Sequence, residues 1–470
     1  MQYIPLQTDD ESSPELASRP KKMSRQSNRR SIIFLFILGI LLLGYLAIAN
    51  DLRTTRIGSS AIDSIASSLK LQKYNYIVVI DAGSTGTRIL VFTFHSSIIN
   101  GDLVLDNEFF EETKPGLSSY VDNSKKMIES LGRLVEKAKA VIPQDLWSQT
   151  PLNLKATAGL RLLPEVQANY LLDECRNFLK NSGFFIAEAA VSLMGGADEG
   201  IYGWFTVNFL LNRLSSHNIG NTVAVLDLGG ASTQVTYVPD QDDFKELAGH
   251  IYTINTFSHN LSLYTHSYLG MGVMAARRAI LTLEMSDEDN QNPNERIEIR
   301  SECINPIISN EWSYGGRNYM VRGPVNGSYQ IVKTQNYAGA DEKRPIVRAE
   351  DCKNLVKRFI DGVGVRPLGL KKHEIYGVSY YFDRATEAGL IDPFKGGVIT
   401  LDTFYNGTID ACNYPNADQP YTCLDMMYIY VLLKECFALE GSTKLNLHRR
   451  WEGHEMSWAL GAAVSIYQDL

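Results

Sequence analysis

Two related α/β lobes are what this sequence predicts, on three observations. An apolar strand, an aspartate, a turn of glycines and hydroxyl residues, and a second apolar strand occur at Tyr76–Phe92 and again at Val223–Tyr237. Between and beyond these copies, helical and strand-like segments alternate over short connections, the order that builds an α/β layer. A chain of 470 residues also exceeds what one compact core usually supports.

The chain opens on a polar tail, residues 1–31, rich in Ser, Pro and mixed charge. Residues 32–49 are an unbroken apolar run of 18 residues, just long enough to cross a bilayer. Arg19, Lys21, Lys22, Arg25, Arg29 and Arg30 precede it and only Arg53 and Arg56 follow closely, so the positive-inside rule leaves the tail in the cytosol and the remainder on the far side. A cleaved signal peptide competes, because Ala47-Ile-Ala49 has a small-x-small pattern. The length of the run and of its leading tail favours an uncleaved signal anchor. Residues 50–73 then read as a stalk.

The first lobe is assigned to residues 74–200. Its opening strand ends at Asp81, and glycine lets backbone come close to a ligand, so Gly83, Ser84, Thr85, Gly86 and Thr87 read as a phosphate cradle. Asp81, beside it, is placed to hold a divalent cation through water. Ser124–Ile142 carries apolar residues three and four apart and reads as an amphipathic helix closed by Pro143. Leu152–Ala156 is a strand delivering Thr157-Ala-Gly-Leu-Arg161; a helix follows over about 164–181 and a strand over about 184–189. Gly195–Gly200 opens a helix whose first-turn Asp198 and Glu199 read as dipole-stabilising charge, or, if that helix starts at a cleft, as a source of a general base in Glu199.

The second lobe, residues 201–439, begins with the Asp227 loop. His266 reads as a packed or capping residue. Residues 286–295 form a charged, Asn-rich loop, Glu350–Val363 and Met426–Cys436 have helical spacing, and Lys372–Phe382 reads as a strand ending in Tyr380, Tyr381 and Phe382. Such a cluster is usually core, although a base needs an apolar face on which to stack. The small-residue helix Met456–Tyr467, within about 440–470, is expected to pack back onto the first lobe.

A net charge of −8 without a basic stripe excludes a nucleic-acid binder. There is no CxxC and no His/Cys cluster, which argues against a structural zinc. The six cysteines, 175, 303, 352, 412, 423 and 436, all lie beyond the apolar run, where disulfides persist, and the sequons at Asn260, Asn326 and Asn406 suit the same compartment.

Five motifs carry a resemblance. Ile80–Arg88, Ala156–Arg161, Asp198–Trp204, Asp227–Gln234 and Trp458–Gly461 resemble, in order, the five apyrase-conserved regions of the ectonucleoside triphosphate diphosphohydrolases, over about residues 76–465. Tyr264–Gly270, Ser379–Ala385 and Cys423–Met426 resemble the branch of uridine and guanosine diphosphatases of the endoplasmic reticulum and Golgi. The resemblance implies two ribonuclease-H-like lobes around an interlobe active-site cleft. It makes Glu199 the base that activates water, with Ser232 and Gln234 holding that water and Thr157 near the reacting phosphate. Ser84 to Arg88 and Gly229, Gly230 and Ala231 would cradle phosphates, and Asp81 and Asp227 would hold Ca²⁺ or Mg²⁺ through its waters. It pairs Cys303 with Cys352 and Cys412 with Cys423, leaving a third bridge or free thiols open for Cys175 and Cys436, and offers Tyr380, Tyr381 or Phe382 for base stacking.

The expected reaction is hydrolysis of nucleoside diphosphates, UDP and GDP favoured, in a secretory lumen, by a type II membrane protein without an obligate protein partner. The alternative is a broad apyrase acting on ATP and ADP at the cell surface. A nucleotide-cycling chaperone would need a peptide-binding domain for which no residues remain, and a sugar kinase would need a catalytic Asp and a sugar pocket.

Overall fold

The computed structural model describes residues 25–49, 63–69, 72–98, 101, 103–214, 219–256, 259–285, 296–332 and 342–468. The chain divides into two compact units, residues 1–73 with 96–104, and residues 74–95 with 105–470. The first unit contains helix α1 (Arg25–Ala49) and a short helix from Asp63, whose carboxylate accepts from the Ile98 N–H at 3.1 Å. Side chains of α1 are described over residues 32–44, where most are exposed and apolar. That stretch is shorter than a bilayer crossing, and among the described residues no helix is long and apolar enough to span a membrane. The anchor expected over residues 32–49 therefore stands on sequence alone, and the loop expected over 286–295 lies outside the described residues.

The second unit holds a five-stranded and a seven-stranded sheet, beside three sheets of two or three strands. The first has the order β3-β2-β1-β4-β5, from β1 (Asn75–Ala82), β2 (Thr87–Ser96), β3 (Leu103–Thr113), β4 (Leu152–Ala156) and β5 (Val191–Leu193). β1 runs antiparallel to β2 and parallel to β4, so Asp81 lies opposite Arg88 on one side and Lys155 on the other. Helix α2 (Ser124–Val141) is capped by Asn123, whose side chain accepts from the Lys126 N–H at 3.2 Å, and it buries Met127, Leu131, Leu134, Val135 and Ala138. Helix α3 (Glu165–Leu179) completes that layer. The strand expected over 184–189 is instead displaced to Val191–Leu193; Phe185 makes only an isolated bridge to Pro151.

The second sheet repeats the scheme. Its strands are β6 (Ala224–Leu228), β7 (Ser232–Tyr237), β8 (Ile251–Thr256), β9 (His259–Leu269), β10 (Ile375–Ser379), β11 (Gly397–Thr400) and β12 (Lys444–Leu447). The order β11-β12-β10-β6-β7-β9-β8 contains β9-β7-β6-β10-β12, the counterpart of the first sheet with one strand added at each edge. β6 again runs antiparallel to the next strand and parallel to a later one, placing Asp227 opposite Gln234 and Val378. A separate apolar core lies under each sheet.

Helix α4 (Gly196–Leu210) follows β5, and α5 (Val273–Leu281) follows β9. Then come α6 (Ala349–Ile360), α7 (Tyr380–Glu387), α8 (Leu401–Asn413), α9 (Thr422–Val431) and α10 (Trp458–Gln468). Tyr380, Tyr381 and Phe382 thus open a helix and do not end a strand, because β10 stops at Ser379. The final helix packs on α4: a Cβ at Gly461 would meet the Tyr202 carbonyl oxygen at 2.3 Å, and the Gly461 N–H donates to Thr206 Oγ1 at 2.8 Å. Disulfides join Cys303 to Cys352 and Cys412 to Cys423, while Cys175 and Cys436 are buried free thiols.

Candidate active site

Each lobe ends its first strand with a buried aspartate and a glycine turn, and the two turns meet. A Cβ on Gly230 would lie 2.6 Å from Ser84 Oγ and 2.8 Å from Thr85 Cγ2, so no side chain fits there. Glycine is equally required at Gly116 and Gly159, where a Cβ would lie 2.4 Å from the Gly83 carbonyl oxygen and 2.7 Å from Ser84 Cα. In the second turn the carbonyls are already used: Val273 donates to Gly229, Met274 and Ala275 to Gly230, and Gly270 to Ala231. Among the described residues, the N–H groups of Ser84, Thr85, Gly86, Gly230 and Ala231 have no backbone acceptor. Two turns that leave these donors free, the second with its carbonyls already satisfied, suit an anion.

Asp81 and Asp227 lie at the strand ends, 6% and 8% exposed. Asp81 Oδ2 accepts from Arg88 Nη1 at 3.0 Å, and Arg88 Nε donates to Glu112 at 3.1 Å. Burial pushes the Asp81 carboxyl up, against the pull of Arg88 and with the help of Asp227. Asp227 Oδ1 accepts from Ser379 Oγ at 2.7 Å, and burial raises its pKa as well. Asp81 Oδ1 is buried with no hydrogen-bond partner. A buried carboxylate oxygen without a partner, with a second buried carboxylate close enough to raise its proton affinity, fits a hydrated cation. Among the described residues no three His, Cys, Asp or Glu side chains cluster as a direct metal cage, so such an ion would keep waters.

Glu199 sits in the first turn of α4 and is 8% exposed. Its Oε2 accepts from Arg161 Nη2 and from Gln234 Nε2, the latter at 3.1 Å. Gln234 Nε2 also lies 2.8 Å from Ser232 Oγ and 2.8 Å from Ser267 Oγ, and Arg161 reaches the same two hydroxyls at 3.3 and 3.5 Å. Burial lifts the Glu199 pKa to about 8; Arg161 opposes the rise, and the charges on Asp227 and Asp81 add to it. Once ionised, a carboxyl with that proton affinity is a stronger base than an ordinary glutamate, and its ionised fraction grows as pH rises towards about 8. Thr157, buried at the end of β4, donates its N–H to the Ala82 carbonyl at 3.2 Å and so stands beside the first turn.

The sequence-expected residues Asp81, Ser84, Thr85, Arg88, Thr157, Glu199, Ser232, Gln234 and the turns at 83–87 and 229–231 thus converge on one place. Of the three aromatics, Tyr381 and Phe382 are 2% and 4% exposed and packed inside, which removes them as stacking faces. Tyr380 is half-buried, and burial pushes its phenol up while the nearby Thr85 hydroxyl pulls against that rise. His266 packs edge-on against Tyr268, with its Nδ1 3.2 Å from that of His250. Asn260, Asn326 and Asn406 are all exposed, Asn406 within α8. Sequence reasoning gave no site role to Arg161, Ser267 or Ser379, although each falls inside a quoted motif.

Residues 67–470 match the GDA1/CD39 (nucleoside phosphatase) family. Nucleoside diphosphate phosphatase ENTPD5 of Homo sapiens is 39% identical over 401 residues, 84% of this chain and 88% of that one. Nucleoside-diphosphatase uda-1 of Caenorhabditis elegans is 36% identical over 83% of this chain and 81% of its own. Ectonucleoside triphosphate diphosphohydrolase 6 of Mus musculus is 36% identical over 91% and 89%. Nucleoside triphosphate hydrolases from Neospora caninum share the fold, at 15% identity and a TM-score of 0.53 over 88% of this chain and 97% of that one. A match that begins ahead of β1 and runs through both sheets leaves one conclusion: the chain belongs to the GDA1/CD39 nucleoside phosphatase family.

Proposed function

We propose that the protein hydrolyses nucleoside diphosphates, UDP and GDP favoured, to nucleoside monophosphate and phosphate. The observation that carries this is the Glu199 carboxylate, held by Arg161 and Gln234 near two amide-rich turns that touch each other. Glu199 takes the proton of an attacking water, and Ser232 and Gln234 fix that water in line with the terminal phosphorus. The N–H groups of the two turns bind the phosphate oxygens, so the work is positioning and charge compensation with no covalent intermediate. Asp81 and Asp227 would hold Mg²⁺ or Ca²⁺ through its waters, an ion that neutralises charge on the phosphates when bound.

The relatives named for nucleoside diphosphates support the diphosphate preference over a broad apyrase. Residues 32–49 anchor the protein in a secretory membrane with the enzyme on the lumenal side, a reading supported by the basic cluster before the run and by the two disulfides. Phosphate release by the full-length protein from UDP, GDP, ADP and ATP, with Mg²⁺ or Ca²⁺ and with chelator, tests the reaction. UDP and GDP are expected to exceed ATP by roughly tenfold or more; equal rates on ATP would leave the apyrase reading instead. Protease protection of residues 50–470 in sealed microsomes tests the orientation.

A further inference from the structure

We propose that Ser379 is a positioning residue for Asp227: a strained strand-to-helix corner aims its hydroxyl at one carboxylate oxygen and so fixes which oxygen is left to face the cation. β10 ends at Ser379 and α7 begins at the next residue. Ser379 has φ +60° and ψ −126°, a conformation open to glycine and strained for any residue with a Cβ. Such outliers persist where the surroundings over-determine them, and a tight turn of this kind presents a side chain at the end of a sheet. Of the four non-glycine residues at positive φ among those described, Ser379 is the one that touches the site, through its 2.7 Å hydrogen bond to Asp227 Oδ1.

The duplicated lobe supplies an internal control. There the corresponding corner is β4 to Thr157 to the helical turn Ala158–Arg161, and Thr157 is extended and relaxed at φ −104°, ψ −153°. The fold therefore builds this corner without strain when the nearby aspartate has another partner, as Asp81 has in Arg88. Asp227 lacks a guanidinium at that register position because Gln234 stands there. A strained serine at the corner supplies the fixed donor that the strand partner does not. The same turn leaves the following residue, Tyr380, near Thr85 of the opposite glycine turn.

The inference rests on Asp227 as a cation holder, and the test separates the two ideas. Mg²⁺ and Ca²⁺ affinity of the nucleotide-free full-length protein is measured by calorimetry, with the melting temperature in chelator, for Ser379→Gly, Ser379→Ala, Ser379→Thr and Asp227→Asn. Ser379→Gly is expected to raise the melting temperature by roughly 1–3 °C through relief of strain. It should also weaken cation binding roughly tenfold, the size of one hydrogen bond to a charged group. Ser379→Thr keeps the hydroxyl and the affinity but melts lower, because a branched Cβ suits positive φ poorly. In activity assays the Gly and Ala variants should recover kcat at saturating cation. Wild-type affinity in Ser379→Gly and Ser379→Ala, with binding lost in Asp227→Asn, overturns the proposal alone. Unchanged binding in Asp227→Asn removes the cation-holder reading and the proposal with it.

Discussion

The two glycine turns are copies in backbone and opposites in chemistry. In each, the aspartate closes a strand and faces a residue seven positions later across the hairpin. In the first lobe that residue is Arg88, which neutralises Asp81 at 3.0 Å. In the second it is Gln234, which ignores Asp227 and reaches Glu199, Ser232 and Ser267. The two copies keep one register, and the difference at one position turns the second copy's side chain toward Glu199, the proposed base. The lesson is that the clamp and the base are separable parts, and each can be damaged without the other.

The sharpest way to break this view is to remove the base and spare the clamp. Glu199→Gln should lower kcat by about 10²–10⁴-fold while leaving cation affinity near wild type, since general-base catalysis has that range; a near-wild-type rate of phosphate release would end the assignment. Gly230→Ala strikes the clamp instead, because its Cβ would press on Ser84 and Thr85. About a hundredfold loss in kcat/KM is expected from an ångström-scale shift of the turns, seen in steady-state kinetics.

Arg88→Gln makes the first pair resemble the second. It leaves Asp81 unneutralised and should weaken substrate binding roughly tenfold with a smaller change in kcat, since a cationic donor is lost beside the phosphates. The smallest effect is in the pH profile. Glu199 must lose its proton to act, so kcat/KM should rise with pH until about 8 and flatten above it. Arg161 opposes the rise in that pKa, so in Arg161→Met the acid limb should move to higher pH. An unmoved limb would mean that another group titrates.

How much of this was readable beforehand differs between parts. The duplication, β4 and α2 were legible because the patterns that announce them are local: a strand running into Asp and Gly, or an apolar face closed by Pro143. The strand near residue 190 was misplaced because Phe184 and Ile186 look strand-like, yet that segment makes a single bridge before the chain pairs with β4. The Tyr380–Phe382 segment failed for a different reason. A helix beginning straight after a strand through one positive-φ serine leaves no glycine or proline to mark the break. Arg161 and Ser267 had no role in the sequence because their meaning is tertiary: Arg161 meets Glu199 across 38 positions of chain, Ser267 meets Gln234 across 33, and the two meet each other across 106.

The close seat of Gly461 on α4 bears on synthesis and truncation as well as on packing. Glu199 sits at one end of the helix against which this late segment locks. On the ribosome, every residue of the Glu199 cluster has left the tunnel before the helix that braces it is made. Nascent chains released short of residue 458 would therefore carry Glu199, Arg161, Ser232, Gln234 and Ser267 and lack the brace. Catalytic competence is a property that the chain acquires last.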